Sequence, residues 1–317
     1  MTKLDVHQHL WSEALLGALS ERRQLPFIRS EHGLTVLYLA CEQPYVIDLA
    51  SETPARRAAL LERDEVDRAL LCISSPLGIE SLPREQSLPL LAAYHDGALA
   101  LGEPFGVWGS LALDRADPAD VDGVLDRGCV GLSLPAGALA SVDALAQLHP
   151  VLARLEARGA PLLIHPGPGP RRELWRGRAA REGRLEDPLW WPALTGYVAD
   201  MQAAWLAYLS VGTARHPHLR VIFSMLAGLA PLQADRLVSR GAPSPQADPR
   251  IFYETSSYGA STARLLQDAV GGGQVLYGSD RPVVDPSELD MPGELDWDPI
   301  ADATQRAFNV PATALAR

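Results

Sequence analysis

The segment Lys3-Leu4-Asp5-Val6-His7-Gln8-His9 reads as a β-strand that ends in a His-x-His pair. Alternate residues of an extended strand face the same side, so this spacing puts Asp5, His7 and His9 on one face. Two imidazoles two residues apart on a strand can grip one metal ion. A doubly wound dinucleotide-binding sheet would carry a glycine-rich phosphate turn after its first strand. Here two histidines occupy that place, which turns the reading toward a barrel whose strand ends carry the chemistry.

The rest of the chain supplies the strands. Residues 10–24 carry apolar residues at helical spacing up to Pro26. Leu34–Leu39 and Tyr45–Ile47 read as a small hairpin inserted after strand one, and Thr53-Pro54 opens a helix to about Glu65. An alternation then sets in. Short apolar runs at 69–73, 105–111, 129–134, 161–165, 219–224, 251–255 and 274–277 read as buried strands. Helical segments separate them: one to about Leu101 with a break near Pro89, then 117–128, 141–158, 192–215, one to about Arg240, one after 255, and a last one in 297–316. Strands alternating with helices imply a parallel sheet. Eight such strands in 317 residues fit a distorted α/β (β/α)8 TIM barrel forming a single domain over 1–317.

Composition narrows the partners. Hydrophobic residues make up 47% of the chain, enough for a large core. No apolar run is long enough for a membrane span, and the first residues lack the apolar stretch of a signal peptide. Cys41, Cys72 and Cys129 show no paired spacing and read as reduced, mostly buried thiols of a cytoplasmic protein. A net charge of −11 argues against nucleic acid or an anionic membrane as partner and leaves a small molecule.

In a (β/α)8 barrel the active site lies at the C-terminal ends of the strands. Strand one ends in His7 and His9, strand five in His165, and strand eight in Gly278-Ser279-Asp280-Arg281-Pro282. Three imidazoles and one carboxylate form a reasonable set for Zn²⁺, with Mn²⁺ as the other divalent candidate. Such an ion lowers the pKa of water and polarises a carbonyl. Asp280 can bind the ion, take a proton from water, or both.

The motifs DVHQHL (5–10), LLIHPG (162–167) and LYGSDRP (276–282) together resemble the amidohydrolase superfamily, and within it the amidohydrolase-related (amidohydrolase 2) group. That group includes aminocarboxymuconate-semialdehyde decarboxylase, resorcylate-type decarboxylases and lactone hydrolases. The resemblance covers nearly the whole chain in the expected order. It implies a distorted TIM barrel in which His7, His9, His165 and Asp280 hold one divalent metal ion. Ser133 stands at the end of strand four, where two-metal members carry a bridging lysine, which favours one metal over two. The chain departs from the family at strand six. There the family places a histidine that orients or deprotonates water or polarises substrate, and this sequence has Met225 in Ser224-Met225-Leu226-Ala227-Gly228. A thioether transfers no proton, but it can line an apolar pocket.

Other residues near the mouth complete the expectation. Arg281 can bind a substrate carboxylate bidentately or serve in a structural salt bridge. Ser256, in the Ser/Thr-rich end of strand seven, can donate to substrate. The segment 171–191 holds six arginines with Trp175, Trp190 and Trp191. It reads either as a positive lid with Trp191 walling a pocket for an anionic, planar molecule, or as a solvated loop whose tryptophans pack on the barrel or on a second copy in a homodimer. His149, His216 and His218 read as structural residues at the opposite end, and His32 and His95 as surface residues. The first functional expectation is a metal-dependent hydrolase of an amide, lactone or related carbonyl in a small carboxylate-bearing molecule. The second is a non-oxidative decarboxylase or other lyase on the same scaffold, and the third a non-catalytic binding protein with a degenerate site.

Overall fold

The structure is a computed structural model that describes residues 2–39, 42, 44–170, 192–245, 247–289 and 291–309. Cys41 and the segment 171–191, with Trp175, Trp190 and Trp191, lie outside the described residues.

Eight strands run parallel. They are β1 (Leu4–Gln8), β5 (Arg68–Leu71), β6 (Phe105–Val107), β7 (Leu132–Pro135), β8 (Leu162–His165), β9 (Val221–Phe223), β10 (Ile251–Glu254) and β11 (Val275–Leu276). Between β1 and β5 the chain inserts β2 (Phe27–Glu31), β3 (Leu34–Tyr38) and β4 (Tyr45–Ile47). The parallel strands form two ladders, β1-β5-β6 and β7-β8-β9-β10-β11. Backbone bonds join the ladders at both seams. Gly109 N donates to Gly131 O at 2.9 Å and Ser133 N to Gly109 O at 2.8 Å; Val6 N donates to Tyr277 O and Asp280 N to His7 O, each at 2.9 Å. The eight strands therefore close into a ring, and helices alternate with them along the chain.

The strands are short, apolar runs because both faces are covered. Leu4, Leu70, Trp108, Leu163, Ile222 and Phe252 fill the interior, joined by Phe308 from the last helix, Trp297–Phe308. Helix starts follow local capping chemistry. The side chains of Ser12, Thr53, Asp117 and Ser141 each accept from a backbone N–H in the first turn of the helix that follows.

Several elements differ from the sequence expectation. The insertion is a three-stranded antiparallel sheet, because Phe27–Glu31 pairs with β3 from Phe27↔Tyr38 to Glu31↔Leu34. His32 (φ 49) and Gly33 (φ 82) supply the two left-handed residues that a tight two-residue hairpin turn requires. The helix Arg84–Leu99 continues through Pro89 without a break. After β9, Met225 through Leu229 all have positive φ, from 49 to 60°, so the chain makes a left-handed turn before the short helix Ala234–Ser239. β1 carries a register shift between Asp5 and Gln8. This bulge moves Asp5 off the face of His7 and His9: the Asp5 carboxylate accepts from Gln8 Nε2 at 2.7 Å, while Leu4 and Val6 pack in the interior.

Candidate metal centre

His7 and His9 end β1, His165 ends β8, and Asp280 follows β11. The strand ends bring them together. His9 Nε2 lies 3.3 Å from both His7 Nε2 and His165 Nε2. Asp280 Oδ1 lies 3.1 Å from His9 Nε2 and 3.5 Å from His7 Nε2. Asp280 reaches them because its φ of 60° turns the chain back, with its N–H bonded to His7 O.

The other ring nitrogens are all engaged. His7 Nδ1 pairs with Glu254 Oε1 at 3.1 Å, His9 Nδ1 with Cys72 O at 2.9 Å, and His165 Nδ1 with Pro166 O at 2.6 Å. A carbonyl or carboxylate oxygen only accepts, so each Nδ1 carries the proton and each Nε2 turns a lone pair inward. Three lone pairs facing one another fit a cation between them. Two ligands each about 2.0–2.1 Å from one tetrahedral ion stand about 3.3 Å apart, so the observed separations suit a divalent metal. Charges without an ion are strained. Burial and the two neighbouring imidazoles hold His165 well below the usual range. Burial opposes charge on His7 and His9 too, yet Cys72 with Glu254 or Asp280 carries both upward, His9 to about 9.

A buried polar frame holds β1 in place. Arg57 Nη1 donates to His9 O at 2.7 Å and to Glu52 Oε2 at 3.1 Å, and Nη2 donates to Gln8 Oε1 at 2.6 Å. Asp5 Oδ1 accepts from His7 N at 3.0 Å and Ser279 N at 3.1 Å. Glu254 holds His7 and also accepts from Met225 N at 3.0 Å and from Ser256. His7 and Ser256 keep the Glu254 carboxylate low although burial pushes it up.

Above the centre lies a cavity of about 280 Å³ reached by His9, His165 and Asp280. The inserted sheet and the residue after β3 form one wall with Leu37, Tyr45 and Leu39, and Trp11, Tyr197, Met225 and Tyr258 line other parts of the cavity. Glu42 also faces it, accepts from the Tyr197 hydroxyl, and is pushed up by burial. No lysine or arginine stands among the described lining residues.

Met225 is among the residues that line this cavity. Ser256 is not: its hydroxyl is committed to Glu254, and Ser257 reaches the cavity in its place. Arg281 is also corrected. It is 5% exposed and turns away to pair with Asp64 at 2.7 Å and Asp285 at 3.1 Å. Trp191 lies outside the described residues. His95 is buried rather than on the surface, and its Nε2 accepts from Ser110 N at 3.0 Å. His149 and His216 bond to each other. Sequence reading missed Glu254, Arg57, Glu42 and Cys72. Cys72 shares strand parity with Leu70, which faces the interior, and that alternation was the available signal.

No protein-family model and no curated protein matches the sequence. Solved structures match the fold over nearly the full length. IDCase of Metarhizium anisopliae is 17% identical with a TM-score of 0.71, covering 99% of this chain and 94% of that one. The 5-carboxyvanillate decarboxylase of Sphingomonas paucimobilis is 18% identical with a TM-score of 0.66, covering 98% and 99%. The same activity in Novosphingobium aromaticivorans is represented by a mutant structure with bound manganese and a methoxy-hydroxy-nitrobenzoic acid. It is 14% identical with a TM-score of 0.71, covering 98% and 97%. The chain shares the fold of these solved structures.

Proposed function

We propose that this chain is a metal-dependent, non-oxidative decarboxylase acting on a small planar carboxylic acid. The cavity carries this reading: an apolar, aromatic-walled space closes on His9, His165 and Asp280, without a lysine or arginine among its described walls. A divalent ion held by His7, His9, His165 and Asp280 would supply the positive charge that holds a substrate carboxylate or a neighbouring oxygen.

The chain's own residues do the rest. Trp11, Tyr45, Tyr258 and Met225 exclude water and offer flat apolar contact to a ring or conjugated chain. A charged carboxylate is poorly solvated among such walls, whereas departing CO2 is neutral, so these surroundings favour loss of the carboxyl group. As the carbon–carbon bond breaks, the carbon must gain a proton. Glu42, kept protonated to higher pH by burial, presents its carboxyl to the same cavity, with Oε1 held by Tyr197. Solvent then returns the proton to Glu42. Met225 is compatible with this reaction, since a single proton delivered to carbon does not require a second acid–base group at strand six. The decarboxylases among the solved structures of this fold support the reading.

Hydrolysis is the second reading. It is favoured by Asp280, whose carboxylate lies at the centre and is held below its usual range by His9 and His7 against the effect of burial. It is therefore ionised, as a group that takes a proton from water must be. The two readings separate by product. Zinc- or manganese-loaded protein is assayed with hydroxybenzoates and unsaturated carboxylic acids, and with lactones, while CO2 and hydrolysis products are followed. CO2 release that falls at least about 100-fold in Glu42→Gln is expected, on the usual scale of a lost acid–base group. A hydrolysis product without CO2 replaces the first reading by the second, and neither product overturns both.

A further inference from the structure

Cys72 lies one residue beyond β5, and its Sγ joins the imidazoles of His7, His9 and His165 in a buried group whose ligand atoms all lie within 4.8 Å of one another. Its thiol is 3.5 Å from His9 Nδ1, and its carbonyl holds the same ring. Neither Cys72 nor His7 lines the cavity, whereas His9, His165 and Asp280 do. The donors therefore fall on two sides: sulfur and one imidazole toward the barrel interior, two imidazoles and a carboxylate toward the substrate side.

We propose that Cys72 is a protein ligand to the metal ion, bound as thiolate from the interior side, and that it sets the site's preference for zinc over manganese. A nitrogen about 2.0 Å and a sulfur about 2.3 Å from one tetrahedral ion stand about 3.5 Å apart. The 4.8 Å spread thus closes when the Cys72 side chain moves inward by about 1 Å. On ligation the Sγ–H bond breaks, its electron pair goes to the ion, and the proton leaves to solvent. No redox change is involved. Thiolate is a soft donor that suits zinc and is a poor partner for manganese, which takes carboxylate, carbonyl and water. A ligand on the interior side leaves the cavity side free for substrate, so the assignment stands apart from which reaction the site performs.

The test is spectroscopic and needs no turnover. Full-length protein is stripped with a chelator and loaded with Co²⁺. A thiolate ligand gives an intense sulfur-to-cobalt charge-transfer band in the near ultraviolet, whereas nitrogen and oxygen ligands give only weak visible bands. The band is expected in the wild type and in a Cys41→Ser/Cys129→Ser double variant that leaves Cys72 as the sole thiol. It is expected to vanish in Cys72→Ser with the visible bands retained. In an equimolar zinc and manganese competition, Cys72→Ser should lower the zinc preference at least about 10-fold. Visible bands without the near-ultraviolet band in wild-type protein overturn the proposal, and this readout stands even if Cys72→Ser fails to fold. Failure to take up cobalt at all overturns the metal centre along with it. Loss of decarboxylation with the band intact would count against the proposed reaction alone.

Discussion

Single side chains decide what the centre can hold. The three Nε2 lone pairs converge because each Nδ1 proton is spent elsewhere, on Glu254, Cys72 O and Pro166 O. Outside the centre, His95 makes a residue-scale prediction. Burial holds it down to about 4, and its Nε2 accepts from Ser110 N. The unfolded chain takes up that proton near pH 6.5, whereas the folded chain resists it until about pH 4. Its contribution is therefore complete above pH 6.5 and is lost as the pH falls toward 4. The shift is worth about 2 kcal/mol at pH 5. Urea unfolding at pH 7 and pH 5 should show this drop, and His95→Gln should reduce it; an unchanged drop would refute the assignment. At this scale the sequence made the convergence of His7, His9, His165 and Asp280 legible, since each ends a strand and spacing along a strand fixes direction. Arg57, Glu254 and Cys72 stayed hidden because their meaning lies in partners dozens to hundreds of residues away. Of the two roles read for Arg281, the structure shows the salt bridge, and nothing local announces Asp64 as its partner.

Elements set the shape of the cavity. The left-handed turn 225–229 directs Met225 toward the space above the centre, and Met225 N is held by Glu254. Left-handed backbone costs an L-residue about 1–2 kcal/mol, so this turn is maintained by its surroundings. Gly228 is the position where the turn has no slack: its φ is +58°, and a Cβ there would stand 3.0 Å from Val198 O in the helix Tyr197–Ala207. Gly228→Ala should therefore lower unfolding stability by about 1–2 kcal/mol, whereas Ala227→Gly, freeing a strained φ, should be neutral or slightly stabilising. Chemical denaturation of both variants checks the pair, and equal effects would rule out the left-handed turn. Periodicity could not reveal it, since an apolar run such as Met225–Ala230 reads equally well as a buried helix. β2 was missed for a related reason: Phe27-Ile28-Arg29-Ser30-Glu31 has weak strand character alone and is defined by pairing with β3.

The whole ring ties the centre to stability. Among the described residues, the candidate ligands come from β1, from β8, from the turn after β11 and, with Cys72, from the end of β5. β1 and the turn after β11 meet at one of the two seams, where His7 O accepts from Asp280 N, and β8 reaches the same centre from within the second ladder. The closed barrel was legible from the alternation of eight short apolar runs with helices, but not which residues bond across its seams, because those bonds lie outside the regular ladders. An ion that binds these strand ends together binds the folded chain and not the unfolded one, so its free energy adds to folding. At a free metal concentration about 1,000 times Kd, the gain is about 4 kcal/mol. For a chain of this length each kcal/mol moves Tm by about 2 °C, so stripping the metal should lower Tm by about 8 °C. Re-adding zinc should restore it. In His165→Ala, which removes the ligand contributed by β8, chelation should change Tm far less. Equal chelator sensitivity in the two proteins would place the stabilising ion elsewhere, and insensitivity of both would remove the metal from the folding equilibrium.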